Sequence, residues 1–234
     1  MKYLAGLFCA AVILTSCAST SVYRESTRST HVPAPENTHT RSERRYSPEA
    51  EPEQTAHSPR REIVEYARGL VGEKNINRAH GLFRNDCSGF VLGVYRSMGY
   101  QVVLRPGRYT RSVSRALYRT LHARGYTYTG AQPAQADVVF FRGTVDGSPN
   151  SVTHVGLVAG ILSDHTVLII NYTSTGVTEL RMNLRYPHLH KKNGMVINDF
   201  LKKSRPGPPH QEVLSGELFY CYGDLLGYVG TDME

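Results

Sequence analysis

Cys87 stands in Asn85-Asp86-Cys87-Ser88-Gly89-Phe90, where a polar loop turns into an amphipathic helical pattern. His154 stands in Thr153-His154-Val155-Gly156-Leu157, inside an apolar stretch that reads as a strand. A cysteine and a histidine on two rigid elements point to nucleophilic catalysis through a thiolate, the chemistry of cysteine-dependent hydrolysis. A free cysteine titrates at about 8.5, and helix N-terminal amides together with a nearby imidazolium lower that value by several units. His154 would supply the imidazolium and later protonate a leaving amine. A third polar group ordinarily fixes the ring's tautomer. With a turn near Leu162-Ser163-Asp164, a hairpin brings residues 171–173 opposite His154, and Asn171, between Ile170 and Tyr172, is the candidate. His165, at the edge of that turn, is the alternative. The backbone amides of Cys87 and Ser88 are the expected oxyanion donors.

These groups need elements that hold them. Residues 60–71 carry Ile63, Val64, Ala67, Leu70 and Val71 at helical spacing, between Pro59 and Gly72. The pattern predicts a second helix over 88–98, with Phe90, Val91, Val94, Tyr95 and Met98 facing a core. A third is predicted over 111–124, with Val113, Ala116, Leu117 and Leu121 on one face. The period then changes to that of short strands, at 137–141, 152–162, 167–172, 176–182 and 217–222, separated by Gly, Asp, Asn and Pro signals. Helices followed by a meandering antiparallel sheet make an α+β domain. Residues 186–209 read as an excursion with a short helix near 196–202.

The N-terminus bears on location. Lys2 precedes an apolar run from Tyr3 to Leu14, typical of a signal h-region and too short to span a bilayer as a mature helix. Leu14-Thr15-Ser16-Cys17 is similar to a bacterial lipobox, which predicts removal of residues 1–16 and acylation of Cys17. An ordinary secretory cut after Ala18-Ser19-Thr20 is the alternative. Residues 17–59 are rich in Ser, Thr, Pro, Glu and Arg and too poor in apolar surface to offset ordering entropy, so they read as a tether. Arg24, Arg28, Arg41, Arg44, Arg45 and Arg60 balance Glu25, Glu36, Glu43, Glu49, Glu51 and Glu53. The formal net charge of +7 therefore resides in Lys2 and in residues 61–234. Residues 60–234 suffice for one domain with a good core. Outside the signal and the anchor, the thiols are Cys87 and Cys221, the latter read as a buried core residue.

Asp86-Cys87-Ser88-Gly89-Phe90-Val91, Ala136-Asp137-Val138-Val139-Phe140-Phe141 and His154-Val155-Gly156-Leu157, in that order, resemble the NlpC/P60 family of bacterial cysteine peptidases. The resemblance covers about residues 62–182. It implies a papain-like core, with the nucleophile helix among N-terminal helices packed on an antiparallel sheet that carries the histidine. It implies hydrolysis of amide bonds in peptidoglycan stem peptides, often between D-glutamate and the diamino acid. It carries Cys87 over as nucleophile, His154 as base and Asn171 as the third polar residue. Many members have a Pro-Tyr and paired glycines before the cysteine. This chain has Gly72-Glu73-Lys74-Asn75-Ile76-Asn77-Arg78-Ala79-His80-Gly81 instead.

The remaining polar residues have simpler readings. Asp86 is expected to cap the cysteine helix and Asp137 to fix the start of its strand. His188 and His190 lack a clear set of further metal ligands, and His80 reads as a loop residue. Neither a metal nor another cofactor is expected. Arg105, Arg108, Arg111, Arg115, Arg119 and Arg124 form one basic strip, and Lys191, Lys192, Lys202, Lys203 and Arg205 another, both read as solvated faces. In an exported chain such charge would meet carboxylates of the cell wall or anionic lipid rather than nucleic acid. The resulting expectation is an envelope lipoprotein, at the outer membrane or periplasmic face, with peptidoglycan as partner. A catalytically decayed wall-binding scaffold is the non-enzymatic alternative. Amidase or lipid acyl-transfer chemistry is less favoured because the cysteine precedes the histidine.

Overall fold

The computed structural model describes residues 58–77, 83–104, 112–145, 147–203 and 212–230, all within the unit Pro52–Glu234. The predicted signal and nearly all of the predicted tether, including Cys17, lie outside the described residues, as do His80, Arg105, Arg108, Arg111 and Arg205. No described helix is long and apolar enough to cross a membrane.

Helix α1 (Pro59–Gly69) begins with proline at its first turn, where a missing N–H costs nothing, and the N–H groups of Arg61 and Glu62 bond to the Ser58 carbonyl. It buries Ile63, Val64 and Ala67. Helix α2 (Cys87–Ser97) is capped by Asp86, whose Oδ1 accepts from the Gly89 N–H at 2.7 Å and from Ser88 Oγ at 2.6 Å. Phe90, Val91, Val94 and Tyr95 face inward. Helix α3 (Val113–Ala123) is capped by Ser112 and buries Ala116, Leu117 and Leu121. All three stand within two residues of the predicted bounds, because capping residues and apolar period coincide there.

The main sheet is antiparallel throughout, in the order β1-β10-β2-β3-β4-β5, from β1 (Thr127–Tyr128), β2 (Val138–Arg142), β3 (Val152–Ile161), β4 (Val167–Thr173), β5 (Gly176–Met182) and β10 (Phe219–Gly223). Both faces are buried. Val138, Phe140, Val155, Leu157 and Ile170 meet the three helices, while Val139, Phe141, Val158, Ile169, Leu180 and Met182 build a second core on the opposite side. Burial on both sides explains why β2 reads as an unbroken apolar run rather than an alternation. Each fully buried Phe or Leu contributes about 1.5–3 kcal/mol. The domain is of mixed α and β composition, helices first and an antiparallel sheet afterward, as the change of period implied.

Two predicted elements are corrected. The helix expected near 196–202 is absent. Its ends lie instead in β7 (Met195–Val196), which pairs with β6 (Lys191–Lys192), and in β8 (Phe200–Lys203), which pairs with β9 (Glu212–Leu214), with residues 197–199 connecting them. Asn193 and Gly194 both adopt positive φ, 51° and 80°, as a two-residue hairpin turn requires, and Asn-Gly was the sequence signal for it. The strand expected over 217–222 begins at Phe219, since Ser215–Leu218 form a helical turn, α4. There Glu217 Oε2 accepts from the Leu214 N–H. A short final helix, α5 (Leu225–Gly230), adds Leu225, Tyr228 and Val229 to the helix-side core.

Two side-chain networks hold the ends together. Arg60 donates to Asp137 Oδ1 at 2.7 Å and to Asp224 Oδ1 at 2.8 Å, joining the start of α1 to β2 and to the C-terminal segment. Asp137 Oδ2 also accepts from Tyr128 Oη and the Ala134 N–H, so it does fix the start of its strand. On the other side, Asn198 Oδ1 accepts from the Asn183 N–H and Asp199 Oδ2 from the Arg181 N–H. These bonds occupy backbone donors along edge strand β5.

Candidate active site

Asp86 places Cys87 as the first residue of α2, where the helix presents unbonded N–H groups. Gly89 is required by close approach: a Cβ there would stand 2.4 Å from the Arg84 carbonyl oxygen, so glycine lets the preceding loop fold over the first turn. The backbone N–H groups of Val155, Ser88 and Cys87 itself lie near enough to the Cys87 sulfur to favour its thiolate. Val155 has no partner in β4, because the β3–β4 ladder ends at the pair Leu157–Ile170. Cys87 therefore meets the β3 backbone at the residue after His154, while the His154 ring lies on the Phe141 side of the strand.

Continued past its end, that register sets Asn171 opposite Gly156 and His154 diagonally across. Gly156 makes the diagonal passable, since a Cβ there would lie 2.5 Å from Ile169 Cγ2 and 3.3 Å from Asn171 Cβ. His154 Nε2 and Asn171 Oδ1 are 3.0 Å apart. Asn171 is fully buried and its Nδ2 donates to the Thr178 carbonyl at 3.3 Å, which turns Oδ1 toward the ring. Nε2 therefore carries the proton and donates, leaving Nδ1 as the basic nitrogen. The Phe141 ring stands 5.9 Å from the imidazole, centroid to centroid.

Burial sets the protonation states. Desolvation pushes His154 down to about 4, with the Asn171 hydrogen bond opposing it. Burial also pushes the Cys87 thiol up, aided by the Asp86 carboxylate and opposed by the three N–H groups at the sulfur. The ion pair expected from sequence is thus replaced, in the free protein, by a neutral thiol and a neutral imidazole. Among the described residues no hydrogen bond joins Cys87 to His154. The helix terminus does act on the sulfur, but loss of water outweighs it. Asp86 itself is half-buried, and bonds from Ser88, Gly89 and Arg84 hold its carboxyl below the usual range against that desolvation.

The other sequence candidates lie elsewhere. His165, in the left-handed region at φ 68°, bonds to Gln132 and does not take Asn171's place. His188 pairs with Glu217 at 2.9 Å, and His190 bonds to the Asn198 carbonyl and stacks on Phe200. No group of three or more metal-ligating side chains occurs among the described residues. Cys221 is free, buried in the helix-side core and pushed up to about 12 by burial.

Two features of the site were not legible in the sequence. A cleft of about 610 Å³ runs from Asn171 along Thr173, Thr178 and Thr144 to Asp199 and Lys202 of the C-terminal excursion. Residues 72–74 are tied to the same end of the sheet. The Gly72 N–H bonds to the Val177 carbonyl, the Val177 N–H to the Glu73 carbonyl, and Tyr172 Oη to the Lys74 carbonyl.

Comparison with known proteins assigns no family. No family model and no curated protein matches the chain.

Proposed function

We infer that this chain is a lipid-anchored cysteine endopeptidase of the NlpC/P60 kind, with a papain-like core, that hydrolyses amide bonds in peptidoglycan stem peptides. The observation that carries this reading is the meeting of the α2 N-terminus with β3. Cys87 lies against the Val155 N–H, beside a histidine whose tautomer Asn171 sets.

In this mechanism a bound peptide excludes the remaining water and draws the Cys87 thiol toward Nδ1 of His154, since catalytic hydrogen bonds that are long in the free enzyme tighten in the substrate complex. The proton passes from sulfur to Nδ1 as the thiolate attacks the amide carbonyl. The oxyanion forms at the N-terminal end of α2, near the backbone N–H groups of Cys87 and Ser88. The imidazolium then gives its proton to the leaving amine, and the C–N bond breaks. His154 next takes a proton from water, which attacks the thioester, and the acid product leaves with Cys87 restored. Asn171 accepts the Nε2 proton's hydrogen bond throughout and never changes charge. Cys17 would hold the domain to the membrane, and residues 17–59 would let it reach the wall.

The experiment is incubation of the mature chain and its Cys87→Ala form with purified peptidoglycan, followed by mass spectrometry. New stem-peptide termini from the unmodified chain alone support the peptidase. A decayed wall-binding scaffold is the second reading, favoured by the neutral, elevated thiol. Binding to the wall with no products from either form would select it.

A further inference from the structure

Arg115 breaks the pattern of its basic strip. It is half-buried although Arg119 and Arg124 are exposed, and its Nε is buried with no hydrogen-bond partner among the described residues. A desolvated guanidinium nitrogen left unpaired is costly, and such a group in a folded protein calls for an explanation. Arg115 lines a cleft of about 150 Å³ together with Tyr118, Arg119, Asn150, Ser151 and Tyr220. The lining holds no carboxylate. Arg142 adds further positive charge, its guanidinium 5.7 Å from the centre of the Tyr220 ring. Hydroxyl and amide groups beside an under-bonded guanidinium suit an oxyanion, which Arg recognises through directed, charge-assisted bonds.

The location gives this chemistry a use. Asn150 and Ser151 lead directly into β3, and Val152 faces the helix-side core, the side from which Cys87 approaches. From Val152 to Val155, whose N–H meets the sulfur, is about 10 Å of strand. An extended peptide covers that in about three residues.

We propose that Arg115 is a specificity-determining residue, and that its cleft receives a free carboxylate of the peptide substrate a few residues from the bond attacked by Cys87. The identity of the ligand rests on the peptidase reading. The test therefore uses two readouts, with a stem peptide whose carboxylates are free and the same peptide with them converted to carboxamides.

In the first, kcat/KM is measured for the mature chain and for Arg115→Gln. The unmodified chain should favour the acid peptide by about tenfold to a hundredfold, the range expected for one charge-assisted hydrogen-bonded contact, and Arg115→Gln should abolish the preference, mainly through KM. In the second, binding of both peptides to Cys87→Ala is followed calorimetrically, with and without Arg115→Gln. The acid peptide should bind at least tenfold more tightly than the amide, and only when Arg115 is present. Hydrolysis without acid preference overturns the carboxylate site and leaves the peptidase intact. Binding that discriminates through Arg115 without hydrolysis keeps the site and removes the peptidase. If Arg115→Gln does not fold, the Asn150→Ala/Ser151→Ala form replaces it: a preference reduced threefold or more supports the proposal, and an unchanged one overturns it.

Discussion

His154 donates from Nε2 to Oδ1 of Asn171 across 3.0 Å, and the Asn171 amide is itself turned by its bond to the Thr178 carbonyl. A neutral side chain thereby determines which imidazole nitrogen stays basic, without adding a charge to a buried site. Replacing Asn171 with Ala should lower kcat about tenfold to a thousandfold with a smaller change in KM, because the ring loses its tautomer and orientation. The ring's nitrogen NMR shifts provide the check: a mixed tautomer population is expected in the variant and protonated Nε2 in the unmodified protein.

The depressed histidine links stability to pH. The unfolded chain takes up a proton near 6.5 while folded His154 resists until about 4, so the unfolded state binds more protons between those values. This contribution to stability is fully present above about 6.5, declines as pH falls toward 4, and then levels off. Urea unfolding midpoints of the unmodified protein and of His154→Gln, measured across that interval, should converge as pH falls. A constant difference would contradict the burial of neutral His154.

Cys87 should behave as a protonated thiol in the free protein. Alkylation by iodoacetamide is expected to be slow at pH 7 and to keep rising above pH 9, since burial holds the thiol above its ordinary value. A rate that plateaus below pH 7 would mean that a thiolate pair already exists at rest.

Gly89→Ala should damage the site through the backbone. The new methyl would meet the Arg84 carbonyl oxygen at 2.4 Å, and relieving that overlap is expected to cost about 1–3 kcal/mol and to displace the first turn of α2. Thermal unfolding measures the first effect. Activity at a temperature where the variant remains folded measures the second.

Asp137→Ala should destabilise the domain more than most substitutions, by about 3 kcal/mol, because Arg60, Tyr128 and the Ala134 N–H all lose a buried acceptor. Chemical denaturation checks it, and Arg60→Ala should cost less because that guanidinium is partly solvated.

Local sequence carries the parts of this protein that local physics decides. Asp86 before Cys87-Ser88 announces a capped helix with the cysteine at its first position. The changes of apolar period mark α1, α2 and α3 and then strands β2 to β5. The Leu162-Ser163-Asp164 turn limits the partners of His154 to a few residues. Val196 to Lys202 resemble a helix locally, but the Asn193-Gly194 turn and pairing with residues 212–214 put Val196 and residues 200–202 in strands, with 197–199 a connection between them.

The sequence by itself determined which residue types stand at the helix start and on the strand, and so the class of chemistry available to them. Tertiary structure alone decided their protonation states, because desolvation depends on everything packed around a group. It likewise decided that Asn171 reaches His154 diagonally past Gly156, and that the Nε of Arg115 is buried while Arg119 and Arg124 are exposed. Such relationships depend on strand register and on how α3 packs, which no short stretch of the chain specifies.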